Sequence, residues 1–251
     1  MPTTLSQAEV TRYDAEGYHV PVRVLTAAEA ASHRARLDAF IADAGGHKAA
    51  GPLLRHKAHL NCPSLRELTT HPKILDAVAD VLGPDLLCWA SGVFYKPARD
   101  PSFVSWHQDA MYWGLDPADI ATAWVALTDS HAGNGAMQVL PGSHRDALMP
   151  HTETYGADNM LSRGQEIAVE VDLGKAIMLT LAAGEMSLHH VKLAHGSEAN
   201  RSGHARIGYA IRYVAPHVRP VTSESGAATL VRGQDRFGHF VQDRVPELQA
   251  T

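Results

Sequence analysis

The sequence has few cysteines and no long apolar run. Its two cysteines, Cys62 and Cys88, form no C-x-x-C pair, so neither a disulfide framework nor a cysteine-based metal motif is expected. The longest apolar run, around residues 176–183, is too short to span a bilayer. Residues 1–6 lack the charged-then-apolar pattern of a secretory signal. We therefore expect a soluble protein of the reducing cytoplasm, without a membrane partner.

Positive charge is also scarce. The chain has 22 Lys and Arg against 27 Asp and Glu, for a net charge of -5, and it contains no dense basic run. This balance argues against a nucleic-acid partner. Hydrophobic residues make up 45% of the 251 residues, which is ordinary for a globular protein that buries a substantial core. Histidine, with sixteen copies, is the one unusual residue type, and nothing in the sequence indicates an oligomeric state.

The first third of the chain has the signals of helices. Ser6 and Thr26 each begin a capping-box pattern, which predicts two helices that end near Gly17 and Gly45. Residues 18–25 between them read as extended. A third helix is predicted to begin near Pro72 and to stop at Gly83-Pro84.

From residue 85 onward, short apolar segments alternate with turn residues. Many short strands at such spacing are typical of a sandwich or barrel, here a jelly roll. No linker or repeat divides the chain. We predict one domain over 1–251, with helices over about 1–84, a β core over about 85–215 and a C-terminal extension over 216–251. The predicted strands are 86–96, 104–109, 121–128, 137–140, 167–171, 176–181, 185–193 and 207–214.

Two His-x-Asp tripeptides are candidates for metal binding. On an extended strand, the side chains of His107 and Asp109 point the same way, and a third imidazole from a distant strand would complete a 2-His-1-carboxylate iron site. With sixteen His and sixteen Asp, about one such tripeptide is expected by chance. The second copy, His144 to Asp146, follows a Pro-Gly-Ser turn where strand alternation need not hold. The first is preferred, although a buried core histidine beside a turn-capping aspartate also explains it.

A longer set of residues resembles a known family. It comprises Trp106-His107-Gln108-Asp109, Pro141-Gly142-Ser143-His144-Arg145, the segment 184–200 with His195-Gly196-Ser197, and Arg206. In this order, beginning at Glu16-Gly17-Tyr18 and ending near Val214, the chain resembles the phytanoyl-CoA dioxygenase (PhyH) family. That resemblance implies an Fe(II)- and 2-oxoglutarate-dependent oxygenase. It also implies the fold class: mainly β with flanking helices, a double-stranded β-helix (jelly roll, cupin-like).

The resemblance assigns His107, Asp109 and His195 to iron and Arg206 to the distal carboxylate of 2-oxoglutarate. An arginine fork suits a carboxylate because it binds both oxygens. Ser197 is a further cosubstrate candidate or a turn-capping serine. Lys96 either contacts the cosubstrate or extends from the barrel rim to solvent.

Several other polar residues have open roles. Arg212 shares strand parity with Arg206 and is its rival as the carboxylate ligand. His189 shares parity with His195 and either faces the same cavity or is a hydrogen-bonded core residue. The ligand set is complete without the remaining candidates His144, His190 and Lys192.

The function implied is hydroxylation of an unactivated C–H bond of a small molecule with O₂, releasing succinate and CO₂. In related halogenases a small residue replaces the carboxylate ligand, so Asp109 favours hydroxylation, with desaturation and cyclisation open. The substrate is expected to be a small polar or zwitterionic metabolite or a natural-product intermediate. Tyr112 and Trp113 are candidates to line its pocket, and Arg163 and Arg201 to bind an anionic group. The alternatives are a cupin-type dioxygenase that uses no 2-oxoglutarate and a catalytically inactive jelly-roll binding protein.

Overall fold

Seven α-helices are found in the computed structural model, which describes residues 3–221 and 226–244. Both capping boxes form: at the first, the Ser6 side chain accepts from the Glu9 backbone N–H, and the Glu9 carboxylate accepts from the Ser6 backbone N–H. The predicted helices are confirmed as α1, α2 and α6. The short helices between residues 47 and 69 and α7 were not predicted. The bounds are α1 Gln7–Glu16, α2 Ala27–Asp43, α3 His47–Arg55, α4 Ala58–Asn61, α5 Pro63–Thr69, α6 Pro72–Leu82 and α7 Ala110–Trp113.

Fifteen strands are assigned within the described residues. They are β1 Tyr18–Arg23, β2 Leu86–Lys96, β3 Val104–His107, β4 Leu115–Asp116, β5 Ile120–Ala126, β6 Met137–Val139, β7 His151–Glu153, β8 Gln165–Ile167, β9 Ile177–Met178, β10 Glu185–His190, β11 His195–Ser197, β12 Arg206–Val214, β13 Arg219–Pro220, β14 Ala227–Arg232 and β15 Val241–Gln242. Three predicted strands differ most in extent from the observed ones. Residues 167–171 and 176–181 keep only short β segments, and the predicted strand over 185–193 ends at His190.

Two sheets form the β core. The larger has the order β1-β10-β5-β12-β2-β14-β15, and the smaller has the order β3-β11-β6-β9. The larger sheet therefore extends past both predicted limits of the β core, because β1 and β14 lie outside residues 85–215. The rest of the predicted C-terminal extension, residues 222–225 and 245–251, lies outside the described residues.

Strand β12 separates two environments. Its odd-numbered side chains, including Tyr209 and Tyr213, belong to the core shared with the helices, where both tyrosines hydrogen-bond to Thr69 of α5. Its even-numbered face, with Arg206 and Arg212, lines a cavity between the two sheets. Because side chains alternate along a strand, one face of β12 packs against the helices and the other face lines the cavity.

Gly208 leaves room for an aromatic ring on the cavity side of β12. A Cβ atom at this position would overlap the Trp124 ring of β5. We expect Gly208→Ala to lower the free energy of unfolding by about 2–3 kcal/mol, since a well-packed core tolerates extra volume poorly. Chemical denaturation measures the change. In the control, Gly203→Ala, the new methyl meets nothing within 4 Å and should change stability by less than about 0.5 kcal/mol. Equal effects of the two substitutions would contradict this packing argument.

Candidate metal centre

Three predicted ligands meet at the edge where β3 pairs with β11. His107 and His195 are directly opposed partners of this antiparallel pair. Strand β3 ends at His107, so the prediction that it runs through Asp109 is wrong. Asp109 has helical dihedral angles, with φ -56° and ψ -39°, and it immediately precedes α7. Its carboxylate reaches the histidines because the backbone turns there, not because side chains alternate along a strand.

The three side chains form a compact donor set. One potential ligand atom from each of His107, Asp109 and His195 lies within 4.8 Å of the others. His107 Nε2 is 3.4 Å from Asp109 Oδ1, and the two imidazole centroids are 4.1 Å apart. Within residues 3–221 and 226–244, no other group of three or more His, Cys, Asp or Glu has such an arrangement.

Backbone carbonyls fix both histidines in one orientation. Nδ1 of His107 lies 2.9 Å from the Ser105 carbonyl, and Nδ1 of His195 lies 2.9 Å from the Leu193 carbonyl. A carbonyl only accepts, so each Nδ1 carries the proton and each Nε2 presents a lone pair. Such contacts commonly orient metal-binding histidines.

The charge states also suit a divalent metal. Burial opposes ionisation of Asp109, but the hydrogen bond that the protonated form of His107 donates, followed by the charges of protonated His195 and of Arg212, outweighs it, so the pKa of Asp109 lies well below the ordinary value. Burial, followed by the charge of His107, lowers the pKa of His195 to about 4. A neutral imidazole and an ionised carboxylate are donors that Fe(II) binds in 2-His-1-carboxylate sites.

Gln108, between two of the predicted ligands, anchors the surrounding loops. The residue is 0% exposed. Its amide group donates to the Lys192 carbonyl at 2.7 Å and accepts from the Met149 N–H at 2.8 Å, while its backbone N–H donates to His151 Nε2 at 3.0 Å. Sequence reasoning missed this role, because the partners of the Gln108 amide lie on loops distant in sequence.

Removing the Gln108 amide should weaken metal binding, although Gln108 is not itself a proposed ligand. We expect Gln108→Ala to weaken Fe(II) binding by about 10- to 100-fold, the usual range for residues that orient ligands. Anaerobic Fe(II) titration measures the affinity. Gln138→Ala is the matched control, because Gln138 lies on β6 opposite Gly196 and its side chain forms no hydrogen bond within the described residues. An unchanged affinity in the Gln108 variant would show that the loops hold the ligands without it.

Arg206 enters the same cavity from β12. It is 2% exposed, and its Nη2 donates to the Gly135 carbonyl at 2.8 Å. Its guanidinium lies over the Trp124 ring, 5.3 Å from the centroid, while its buried Nε has no hydrogen-bond partner in the described part of the chain. Burial lowers its pKa to about 10, so the group remains cationic at neutral pH. An oriented buried cation with free donor capacity suits a carboxylate.

Ser197 and Lys96 form a pair beside Arg206. Ser197 lines the cavity, and its Oγ accepts from Lys96 Nζ at 2.8 Å. Lys96 is 0% exposed, so it does not extend to solvent, and it also donates to the carbonyls of Ser197 and Glu198. Burial, and then the charge of Arg206, lowers the pKa of Lys96 to about 7. Lys96 does not line the cavity. Ser197 therefore lies between Lys96 and the cavity.

His189 lines the cavity, and its ring centroid is 4.8 Å from that of His195. The two residues lie on different strands and in different sheets, so the parity argument that joined them is wrong, although both rings face one space. His144 lies elsewhere: its Nε2 is 3.2 Å from the Asp14 carbonyl, and its ring is 5.1 Å from that of His190.

A hairpin formed by β7 and β8 covers part of the cavity. Its connecting segment carries Asn159, whose amide donates to Ser105 Oγ at 2.8 Å, and Leu161, which lines the cavity. Arg163 on the same segment lies over the Tyr112 ring and is 3.4 Å from a Glu153 carboxylate oxygen. Neither Arg163 nor Arg201 lines the cavity.

A β sandwich that holds two histidines, one carboxylate and a buried arginine around one cavity is the arrangement typical of mononuclear non-haem iron oxygenases. The chain belongs to the phytanoyl-CoA dioxygenase (PhyH) family, whose sequence model matches residues 5–208. The predicted family and fold class are confirmed.

Known proteins agree with this membership. A probable alpha-ketoglutarate-dependent hypophosphite dioxygenase of Stutzerimonas stutzeri is 31% identical over 166 residues, which cover 65% of this chain and 57% of that protein. The chain spans about half the length of the curated relatives that it matches. The apo structure of the non-heme monooxygenase ThoJ is 40% identical, with a TM-score of 0.84 over 95% of this chain and 88% of that one. CytC3 with Fe(II) and alpha-ketoglutarate, 23% identical, shares the fold with a TM-score of 0.70 over 98% and 100% of the two chains.

No helix among the described residues combines the length and the apolar character needed to cross a membrane.

Proposed function

We propose that this protein is an Fe(II)- and 2-oxoglutarate-dependent dioxygenase that hydroxylates a C–H bond of a small molecule and releases succinate and CO₂. One observation carries the proposal: the donor set of His107, Asp109 and His195 shares its cavity with the buried guanidinium of Arg206. The first feature suits the metal, and the second suits the distal carboxylate of the cosubstrate.

His107, Asp109 and His195 would hold the metal, which together with 2-oxoglutarate supplies the activation of O₂. The protein's part is to keep two Nε2 lone pairs and one carboxylate pointed at a common centre. The Ser105 and Leu193 carbonyls do this by holding the Nδ1 protons. A full carboxylate at Asp109 supports hydroxylation rather than halogenation.

Arg206 would bind the distal carboxylate of 2-oxoglutarate. Its bond to the Gly135 carbonyl and its contact with Trp124 fix the plane of the guanidinium before the cosubstrate arrives, which lowers the entropy cost of binding. Lys96 orients the hydroxyl of Ser197, which is then free to donate its own proton toward the same carboxylate. In this proposal Lys96 acts through Ser197.

Apolar walls would shield the reaction from water. Phe94, Val104, Met137 and Leu161 line the cavity between the sheets. Leu161 comes from the segment that joins β7 to β8, which Asn159 ties to the core through Ser105. A water-poor site strengthens each electrostatic contact inside it and suppresses side reactions.

The two alternatives explain less. A cupin-type dioxygenase without 2-oxoglutarate has no use for Arg206, whose buried charge lacks a carboxylate partner within the described residues. Leaving such a charge uncompensated is costly. A catalytically inactive binding protein has no need for three intact donors with aligned lone pairs.

The decisive experiment is anaerobic addition of Fe(II) and 2-oxoglutarate. A metal-to-ligand charge-transfer absorption band is expected only when 2-oxoglutarate chelates bound Fe(II). Fe(II) with succinate, which lacks the keto group, is the control. Absence of the band in protein shown to be folded by circular dichroism would contradict the proposal, and slow O₂-dependent formation of succinate would support it further.

A further inference from the structure

Arg212 is a second guanidinium in the same cavity, and among the described residues it forms no hydrogen bond and no ion pair, although the charge of Asp109 acts on it at longer range. Among the described residues nothing accepts a hydrogen bond from it, no carboxylate oxygen lies within 4.0 Å, and its Nε is buried and unpaired. The group lies over two aromatic rings instead, 5.9 Å from the Phe94 centroid and 5.6 Å from that of Trp113. Aromatic faces hold a guanidinium in place while leaving its in-plane donors free.

Arg212 and Arg206 have different neighbours in the cavity. They lie six residues apart on one strand, about 20 Å between Cα atoms at about 3.3 Å per residue, although the Arg212 guanidinium leans back toward Phe94, the β2 partner of Gly208. Arg206 sits beside Ser197 and Gly135, while Arg212 sits beside Trp113, at the start of the polypeptide that follows Asp109. One small dicarboxylate bound at Arg206 leaves Arg212 unoccupied.

The charge of the cavity points to an anionic occupant. Of its lining residues, Arg206 and Arg212 are cationic and Asp109 is anionic, which leaves one excess positive charge. A divalent iron and a dianionic 2-oxoglutarate neutralise each other, so the excess remains after both have bound. Water-poor sites disfavour an uncompensated charge, and a single anionic group on the remaining ligand would remove it.

We infer that Arg212 binds an anionic oxygen group, most simply a carboxylate, on the substrate to be oxidised, and so determines substrate class. This inference rests on the proposed function and adds the chemistry of the substrate. The sequence suggested Arg163 and Arg201 for binding an anionic group, but Arg163 is paired with Glu153 and Arg201 is exposed. The inference assigns that role to a residue inside the cavity instead. Arg212 is then a specificity-determining residue.

The test uses small probes on the complete protein loaded anaerobically with Fe(II) and 2-oxoglutarate. Acetate and its neutral isostere acetamide are titrated while the charge-transfer band is recorded. We expect acetate to perturb the band with a dissociation constant about 10-fold or more below that of acetamide, because a charge-assisted hydrogen bond is lost with the amide. In Arg212→Met the difference should vanish, and Arg212→Lys should restore part of it.

Each outcome separates the inference from the proposed function. If wild-type protein gives no charge-transfer band, the proposed function fails and the inference falls with it. If the band forms but acetate and acetamide perturb it alike, the inference alone is wrong. The inference is also wrong if acetate perturbs the band of Arg212→Met as strongly as that of the wild type, a result that would place acetate on the metal. If Arg212→Met fails to form the band, Arg212 binds the cosubstrate, which also overturns the inference. Arg201→Met controls for loss of an arginine elsewhere.

A substrate panel provides a second measurement. Each small carboxylate is paired with its primary amide, and stimulation of succinate formation is recorded. The stimulating compounds should be carboxylates, and Arg212→Met should raise their KM by about 10- to 100-fold while changing the KM for 2-oxoglutarate by less than about threefold, a split of 0.7 kcal/mol or less. Equal stimulation by the amides would contradict the assignment.

Discussion

Asp109→Ala is expected to remove Fe(II) binding and 2-oxoglutarate turnover together. The carboxylate is the one anionic donor of the set, and its pKa lies well below the ordinary value, so it is ionised throughout the working pH range. Loss of residues that only orient ligands already weakens metal binding by about 10- to 100-fold, and loss of a direct ligand should exceed that. Turnover should fall by at least about 1,000-fold, since metal catalysis supplies several kcal/mol. Anaerobic Fe(II) titration and succinate formation measure the two effects.

The chain contains its own control for this substitution. Asp146 occupies the same position in the second His-x-Asp tripeptide, but it is exposed and lies outside the donor cluster. Asp146→Ala should therefore bind Fe(II) and turn over 2-oxoglutarate within about twofold of wild type, as surface changes generally do. If Asp109→Ala kept both properties while Asp146→Ala lost them, the wrong tripeptide would have been assigned to the metal.

The starts of helices α1 and α2 could be predicted from sequence because local contacts determine them. The capping boxes at Ser6 and Thr26 satisfy backbone groups within four residues of themselves, so the sequence there contains the whole cause of the helix start. The short helices over residues 47–69 have no side-chain cap at their N-termini, and α4 and α5 are too short to show a hydrophobic period. Helices α3 and α4 pack against β2, and α5 packs against α2 and α4, so their boundaries depend on contacts that no local window contains.

The sequence predicted which residues form the site but not how they are arranged. The residue set came from a combination of motifs, while strand alternation gave a wrong reason for the closeness of His107 and Asp109. Similarly, His189 and His195 meet because two sheets face each other, not because one strand carries both. Pairing between sheets is non-local, so spacing along the chain cannot determine it.

The two arginines of β12 show the same limit. Strand parity predicts that both face one side, which the structure bears out, but parity does not say which of them a cosubstrate meets. The surroundings do: Arg206 has Ser197 and a carbonyl that fixes its plane, whereas Arg212 has aromatic rings and no hydrogen-bond partner among the described residues. This difference in environment makes the two residues separable by experiment.

Arg206→Met is expected to raise the dissociation constant for 2-oxoglutarate by about 100-fold, because a bidentate charge-assisted contact is worth roughly 3 kcal/mol. Arg206→Lys keeps the positive charge but not the planar guanidinium, and its affinity for 2-oxoglutarate should fall by about 10-fold. Titration of the charge-transfer band under anaerobic conditions measures both, and unchanged Fe(II) affinity would show that the metal centre is intact.

Arg212→Met and Arg201→Met are the matched controls for Arg206, one inside the cavity and one on the surface. Both should bind 2-oxoglutarate within about threefold of wild type, a difference of 0.7 kcal/mol or less. The opposite pattern, with normal binding in Arg206→Met and loss in Arg212→Met, would make Arg212 the cosubstrate ligand. Arg206 would then be a structural cation that holds the Gly135 carbonyl and Trp124 in place. That result would also exchange the proposed positions of cosubstrate and substrate in the cavity.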